Sequence, residues 1–224
     1  MGQFKYDLHV HTSETSNCGK ISGKELVRMY KKASYQGVVI TDHYYEDFFE
    51  RLQGKSWDKK IDKYFEGYNV ALNEGKKLGL QVIPGMEITF PENSNDYLVY
   101  GVDENFLKEN KELYKLGLQG FRALIKGSNI LVVQAHPFRQ YMIPAPPEFL
   151  DGVEVYNGNP RHDSRNHLAH EYALKNGLIM LSGSDFHQRD DLARGGIVTS
   201  EEISTPAALV DIISNDKILD LIRS

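Results

Sequence analysis

The chain has 224 residues, 41% hydrophobic and 25% charged, with a formal net charge of −5. These proportions suit a globular protein that buries its core without staples, and the acidic balance without a basic block argues against a long nucleic acid as partner. One cysteine, Cys18, leaves no intramolecular disulfide, no stretch approaches the roughly 18 apolar residues of a membrane span, and the start MGQFKYDLHV lacks a signal-peptide core, so a cytoplasmic protein away from membranes is expected.

The first strand is expected over 6–12 (YDLHVHT). Alternate residues of a strand share a face, so His9 and His11 point the same way about 7 Å apart, and Leu8 and Val10 the other way. Residues 24–37 place apolar side chains at helical spacing, with Gly37 as the stop. Residues 38–43 (VVITDH) are an apolar run of the kind that buried parallel strands show. A helix over 61–79 is closed by Gly79. Strands follow over 81–90 (QVIPGMEITF) and 96–102 (DYLVYGV), then a helical segment over about 106–126. Further strands are expected at 130–138 (ILVVQAHPF), 152–158 (GVEVYNG) and 178–187 (LIMLSGSDFH), with a helix at 165–177 between the last two. Residues 195–200 (GGIVTS) read as one more strand and 205–216 as a closing helix. No linker or repeat interrupts the pattern, and PAPPE at 144–148 reads as a loop, so residues 1–224 form one expected domain. The βαβα order predicts an α/β fold with a largely parallel sheet, either a closed barrel or an open doubly wound sheet.

The polar residues are not scattered along this frame. His9 and His11 lie late in the first strand, Asp42 and His43 end the second, and Glu87 ends the third. His136 ends the fifth, and Asp185 and His187 end the seventh. In parallel α/β folds the site lies at the carboxyl ends of the strands. A lone HxH is a weak signal. A buried carboxylate or imidazole, however, costs several kcal/mol unless it is paired or metal-bound, and eight such residues at one end of a sheet point to a metal. A mixed His, Asp and Glu set suits Zn, Mn or Fe, whereas copper would recruit sulfur and calcium oxygens alone.

In that order, YDLHVHT, VVITDH, GMEIT, QAHPF and SGSDFH resemble the successive motifs of the PHP (polymerase and histidinol phosphatase) metal-dependent phosphoesterases, across residues 6–187. The resemblance implies a distorted (β/α)7 barrel with two or three divalent ions at its C-terminal mouth. It also implies that His9, His11, Glu87 and Asp185 hold the first ion, that Glu87 bridges to a second ion bound by His136, and that His43 and His187 hold a third. The chain departs from the family pattern twice. The loop after HVHT reads SETSNCG, so Asn17 or Cys18 stands where relatives place a histidine or aspartate ligand. Asp96 stands where many place a fourth-strand histidine, and can serve as an oxygen ligand. With the neutral Asn17 there, the third ion is expected to be held more weakly than the bridged pair.

The remaining candidates are weighed residue by residue. Cys18 lacks the following arginine of a cysteine phosphatase and is read as a loop thiol or a weak metal neighbour, and GKISGKE, too short for a phosphate-binding loop, is read as a loop leading into a helix. His162, His167 and His170 form a second cluster, with His167 and His170 on a solvated helix face. Arg139 and Arg161 fall in loops expected to overhang the mouth, where arginine matches phosphate geometry. Asp7 and Asp42 adjoin ligands, as supports or as ligands themselves. The expected activity is hydrolysis of a small phosphomonoester by a metal-activated hydroxide, with Glu87 and Asp185 central and His187 placed to protonate the leaving group. The alternatives are a phosphodiesterase or exonuclease on short nucleotides and a catalytically weak metal-binding domain. An amidohydrolase would usually need a carboxylated lysine, and no lysine ends a strand.

Overall fold

The computed structural model describes residues 2–224. Its strands are β1 (Phe4–Val10), β2 (Gly37–Ile40), β3 (His43–Tyr44), β4 (Gln81–Thr89), β5 (Asp96–Tyr100), β6 (Leu131–Gln134), β7 (Gly152–Asn157), β8 (Ile179–Gly183), β9 (Gly195–Thr199) and β10 (Ile218–Arg223). Its helices are α1 (Gly23–Lys32), α2 (Glu46–Glu50), α3 (Trp57–Tyr64), α4 (Glu66–Leu78), α5 (Glu104–Glu109), α6 (Gly117–Leu124), α7 (Asn166–Asn176) and α8 (Pro206–Ser214). None of these helices is long and apolar enough to cross a membrane.

Seven strands run around a ring in the order β1, β2, β4, β5, β6, β7, β8. The ring closes at one end, where Phe186, just past β8, bridges Val10 in parallel. There His11 N–H donates to Phe186 O at 3.0 Å and Phe186 N–H to His9 O at 3.1 Å. At the other end β9 pairs antiparallel with Phe4–Tyr6 of β1, and β10 pairs with β9. The outcome is a distorted seven-stranded α/β barrel with a two-strand extension. Leu8, Val39, Ile83, Leu98, Val133 and Leu181 come from six different ring strands and pack together, joined by Leu209 and Ile213 of α8. This apolar layer fills the barrel beneath the strand ends that carry the histidines.

Several expectations are corrected. β5 runs antiparallel to both β4 and β6, so the sheet is mixed. A tight connection from β4, whose last residue Thr89 faces Asp96, makes a hairpin instead of a crossover. Leu8 and Val10 do not share a face. The β1–β2 register shifts between Asp7 and Val10, which leaves Leu8 in the inner layer and sends Val10 outward to Ile21, Leu26 and Phe186. The helix α1 stops at Lys32, and Gly37 opens β2, where the Tyr6 ring passes too close for any side chain. The segment 61–79 is broken at Phe65, because Tyr64 O–H donates to Asp42 O at 2.6 Å and Gly67 N–H to Thr15 Oγ1 at 3.2 Å. Segment 106–126 is interrupted after Glu109, and α6 starts at Gly117, which sits at φ 70° against the Glu92 carboxylate that accepts from Leu118 N–H. The strand β10 carries no strong pattern of its own and forms because β9 offers it an edge.

A methyl group on Gly67 would collide with Thr12 Oγ1, whereas one on Gly120 of α6 meets only Leu116 Cβ at 3.4 Å. Alanine at an unhindered helical glycine stabilises by about 0.5–1 kcal/mol, while overpacking costs about 1–3 kcal/mol. Gly120→Ala is expected to raise the thermal midpoint and Gly67→Ala to lower it. Melting curves of the two variants check the sign of each.

Candidate metal centre

Four strand ends and two short loops build the mouth. His9 lies in β1 and His11 just past it. The pairing of β3 with β4 sets His43 opposite Glu87. His136 follows β6 and Asp185 follows β8, and both have positive φ, 28° and 52°. Side chains other than glycine rarely adopt that region, and it recurs where a site over-determines the backbone. Here His136 N–H donates to Glu154 Oε2 at 3.0 Å, which fixes the first of these turns.

Glu87 is the centre of the arrangement. Its Oε1 lies 3.2 Å from His9 Nε2 and 3.3 Å from His136 Nε2. Its Oε2 lies 3.3 Å from His11 Nε2 and 2.9 Å from His43 Nδ1. One carboxylate therefore presents each oxygen to two imidazoles, while its residue is 0% exposed. Asp185 is split in the same manner. Oδ1 approaches His9, His11 and His187 at 3.4, 3.5 and 3.3 Å, and Oδ2 accepts from Arg139 at 2.7 Å. Three triads bring ligand atoms within 4.8 Å of one another: His9, Glu87 and His136; His9, His11 and Asp185; and His11, His43 and His187.

The surroundings also choose which ring nitrogen is free. His9 Nδ1–H donates to Glu154 Oε1 at 2.9 Å, which turns Nε2 toward Glu87 and Asp185. Ser16 O–H is committed to Asp42 Oδ1 at 2.6 Å, so its oxygen must accept from His11 Nδ1–H at 3.3 Å. His187 Nδ1–H donates to Asp185 O at 2.8 Å. In each neutral ring Nε2 is then a bare lone pair, as metal ligands require. The fit to divalent ions follows from what is left over. His9 Nε2, His11 Nε2 and both Glu87 oxygens are buried without a hydrogen-bond partner, a condition that folded proteins otherwise avoid.

The side chains of the cluster also act on one another electrostatically. Burial disfavours charge on His9, but the carboxylates of Glu154, Glu87 and Asp185 overcome it and hold its pKa well above the ordinary imidazole value. Burial and then the neighbouring His187 and His43 push His11 well below that value. Glu87 stays ionised against its burial because His9 and His43 face it, and Asp185 does so because of His9, His11 and Arg139.

The PHP domain family model matches residues 7–223. The chain belongs to the PHP domain family. Among solved structures, a two-domain protein of Bacteroides vulgatus, titled as containing a predicted PHP-like metal-dependent phosphoesterase, is 17% identical with a TM-score of 0.65. The alignment covers 97% of this chain and 64% of that one, so this PHP chain spans less than two thirds of its neighbour's length. PsfC of Pseudomonas syringae is 16% identical with a TM-score of 0.64, covering 94% of this chain and 88% of that one. An amidohydrolase of Chromobacterium violaceum, solved with sulfate and no metal, is 15% identical with a TM-score of 0.57, covering 96% and 97%. At these identities the likeness establishes the PHP barrel fold. No curated protein matches the sequence.

Not every expected ligand joins the PHP cluster. Asp42 turns away from it, because both its oxygens are occupied by Thr12 N–H, Thr12 O–H and Ser16 O–H at 2.6–2.7 Å. It acts on His11 through Ser16. Asn17 is exposed and joins none of the three triads. Cys18, the next residue, is likewise exposed and joins none of them. Asp96 reaches the mouth only because β5 is reversed, and it accepts from Thr89 O–H at 2.6 Å at the edge of the cluster. Arg161 pairs with Asp191, which accepts from His187 N–H at 2.8 Å, so it braces the β8 loop. Asp7 is a support, bonded to Tyr30 O–H at 2.7 Å and Ser184 N–H at 3.0 Å. His162 lies in the loop before α7, apart from His167 and His170.

Glu154 is the residue that sequence reasoning missed. It lies in the middle of β7, in GVEVYNG, not at a strand end, and the signal available was a charged residue inside an otherwise apolar strand. It holds His9 Nδ1, His136 N–H and Asn157 Nδ2, all at 2.9–3.0 Å. Glu154→Gln is expected to keep the fold and lose about 10- to 100-fold in metal affinity, measured by competition with a chromogenic chelator. Because His9 must give up a proton when its Nε2 takes an ion, metal affinity should fall as pH drops below the raised His9 pKa. Calorimetry in buffers of different ionisation enthalpy should show proton release, and a buffer-independent heat would contradict the assignment of His9.

Proposed function

We propose that this PHP chain is a metal-dependent hydrolase of a small phosphomonoester. The observation that carries the reading is the unpartnered Glu87 carboxylate, each oxygen facing two imidazoles, which is the environment of a ligand bridging two cations. Divalent ions held by His9, His11, Glu87, His136 and Asp185 would supply Lewis acidity and an activated water. Zn, Mn and Fe all suit this donor set.

The chain's own residues supply the rest. Arg139 is pinned by Asp185, Asn157 and Ser164 through one nitrogen, and its buried Nε has no partner. A guanidinium so fixed is matched to phosphate oxygens. His43 and His187 are the cluster's more exposed imidazoles, with side chains 22% and 13% exposed, and line the side from which a leaving alkoxide departs. The net charge of −5 supports a small substrate over a long nucleic acid. The amidohydrolase reading is disfavoured because no lysine is buried among the described residues, which leaves no candidate for a carboxylated bridge.

Elemental analysis of protein purified without chelator is expected to find at least about two ions per chain, as a bridged pair requires. The metal-loaded protein should hydrolyse p-nitrophenyl phosphate and members of a phosphomonoester panel faster than bis-p-nitrophenyl phosphate. Turnover of the diester alone would replace this reading with a phosphodiesterase, and failure to take up metal would remove both. Glu87→Ala should lose metal and about a hundredfold in rate, whereas His170→Ala, on the outer face of α7, should match the wild type.

A further inference from the structure

We propose that Asn157 is a positioning residue that couples the two working parts of the mouth: its carboxamide ties Glu154, the acceptor behind His9 and His136, to Arg139, the guanidinium matched to phosphate. The link to Glu154 rests on the metal-centre reading above, and the link to Arg139 on the phosphomonoester reading.

Asn157 ends β7 and is buried. Its Nδ2–H donates to Glu154 Oε2 at 2.9 Å, the oxygen that also accepts from His136 N–H at 3.0 Å, while Glu154 Oε1 accepts from His9 Nδ1–H at 2.9 Å. With the nitrogen so committed, Oδ1 is left as the acceptor. It takes Arg139 Nη2–H at 2.9 Å and Asn159 N–H at 3.1 Å. The same Arg139 nitrogen donates to Asp185 Oδ2 at 2.7 Å. One path of hydrogen bonds therefore runs from His9 through Glu154, Asn157 and Arg139 to Asp185, with a metal ligand at each end.

Residues three apart on a regular strand point to opposite faces, so Glu154 and Asn157 would not ordinarily meet. They meet because the pairing of β7 with β8 shifts register between Glu154 and Tyr156, and such an irregularity re-aims a side chain. Asn166, the first residue of α7, holds the backbone there in both directions, accepting from Asn157 N–H and donating to Asn157 O, each at 3.1 Å. A carboxamide suits both neighbours, because an ionised Glu154 can only accept and Arg139 can only donate. An aspartate would set a second acceptor against Glu154. An aliphatic side chain would leave Arg139 to Asp185 and the longer Ser164 contact at 3.3 Å.

Two double-mutant cycles test this. Asn157→Leu is expected to weaken zinc binding, and binding of inorganic phosphate to the zinc-loaded protein, by about tenfold each, as loss of a group behind a ligand does. In a Glu154→Met background it should cost less than about twofold further in zinc affinity, and in an Arg139→Ala background less than about twofold further in phosphate affinity, because groups that act through one another are not additive. Should Asn157→Leu not fold, Asn157→Ser, too short to reach both partners, takes its place in the same cycles. A side chain that only fills space gives additive losses. Additivity in either cycle, or wild-type affinity for zinc and phosphate in Asn157→Leu, would overturn the proposal. Wild-type protein that takes up zinc but shows no affinity for phosphate would remove the phosphomonoester reading and the Arg139 link with it, and the zinc cycle would still decide the link to Glu154.

Discussion

One buried carboxylate organises this molecule. Glu87 sits on the central strand β4 with no solvent access, and its oxygens meet four imidazoles that come from β1, the loop after it, β3 and the end of β6. An isolated ionised carboxylate in such a place would cost several kcal/mol. The surrounding imidazoles offset that only in part, because none of their close approaches to it has hydrogen-bond geometry. The remaining unsatisfied polar atoms converge on the space between them, and that convergence is the physical sense in which the barrel mouth is built to receive cations.

The layers around Glu87 follow from that demand. A packed apolar layer beneath, one residue from each of six strands, fixes the strands in register. A hydrogen-bonded layer around the ligands fixes their orientation. Glu154 turns His9 and holds the backbone at His136. Asp42, through Ser16, decides which nitrogen of His11 carries the proton, and Asp191 holds the backbone at His187. These carboxylates are acceptors whose partners are already placed, so they are supports and not ligands. Burial works against ionisation of Asp42, whose pKa it pushes up to about 6 against the donors Ser16 and Thr12.

The two parts of the mouth differ in exposure and chemistry. The Glu87 pair is enclosed, and its donors are oxygen and nitrogen. The His43 and His187 side is more open to solvent.

The sequence by itself determined the α/β class and the residue types at one end of the sheet, whereas closure into a seven-stranded barrel was implied only by the resemblance to the PHP family. Each candidate ligand followed a short apolar run, and burial of such a run leaves its terminal polar residue at one end of the sheet. That logic is local, so it placed His9, His11, Asp42, His43, Glu87, His136, Asp185 and His187 together as candidates, while the division of ligands among ions came from the family resemblance. It could not find Glu154, which lies inside a strand and acquires its role only because β7 curves beside His9, 145 residues away in sequence. Nor could it separate Asp42 from the ligands, since the donors that occupy it belong to a loop 26 to 30 residues earlier. The reversal of β5 depended on a hairpin with β4. Strand ends are fixed by hydrophobic pattern, but the direction of a strand, the free nitrogen of an imidazole and the aim of a loop side chain are fixed by contacts between segments far apart in the chain, and those the tertiary structure alone decided.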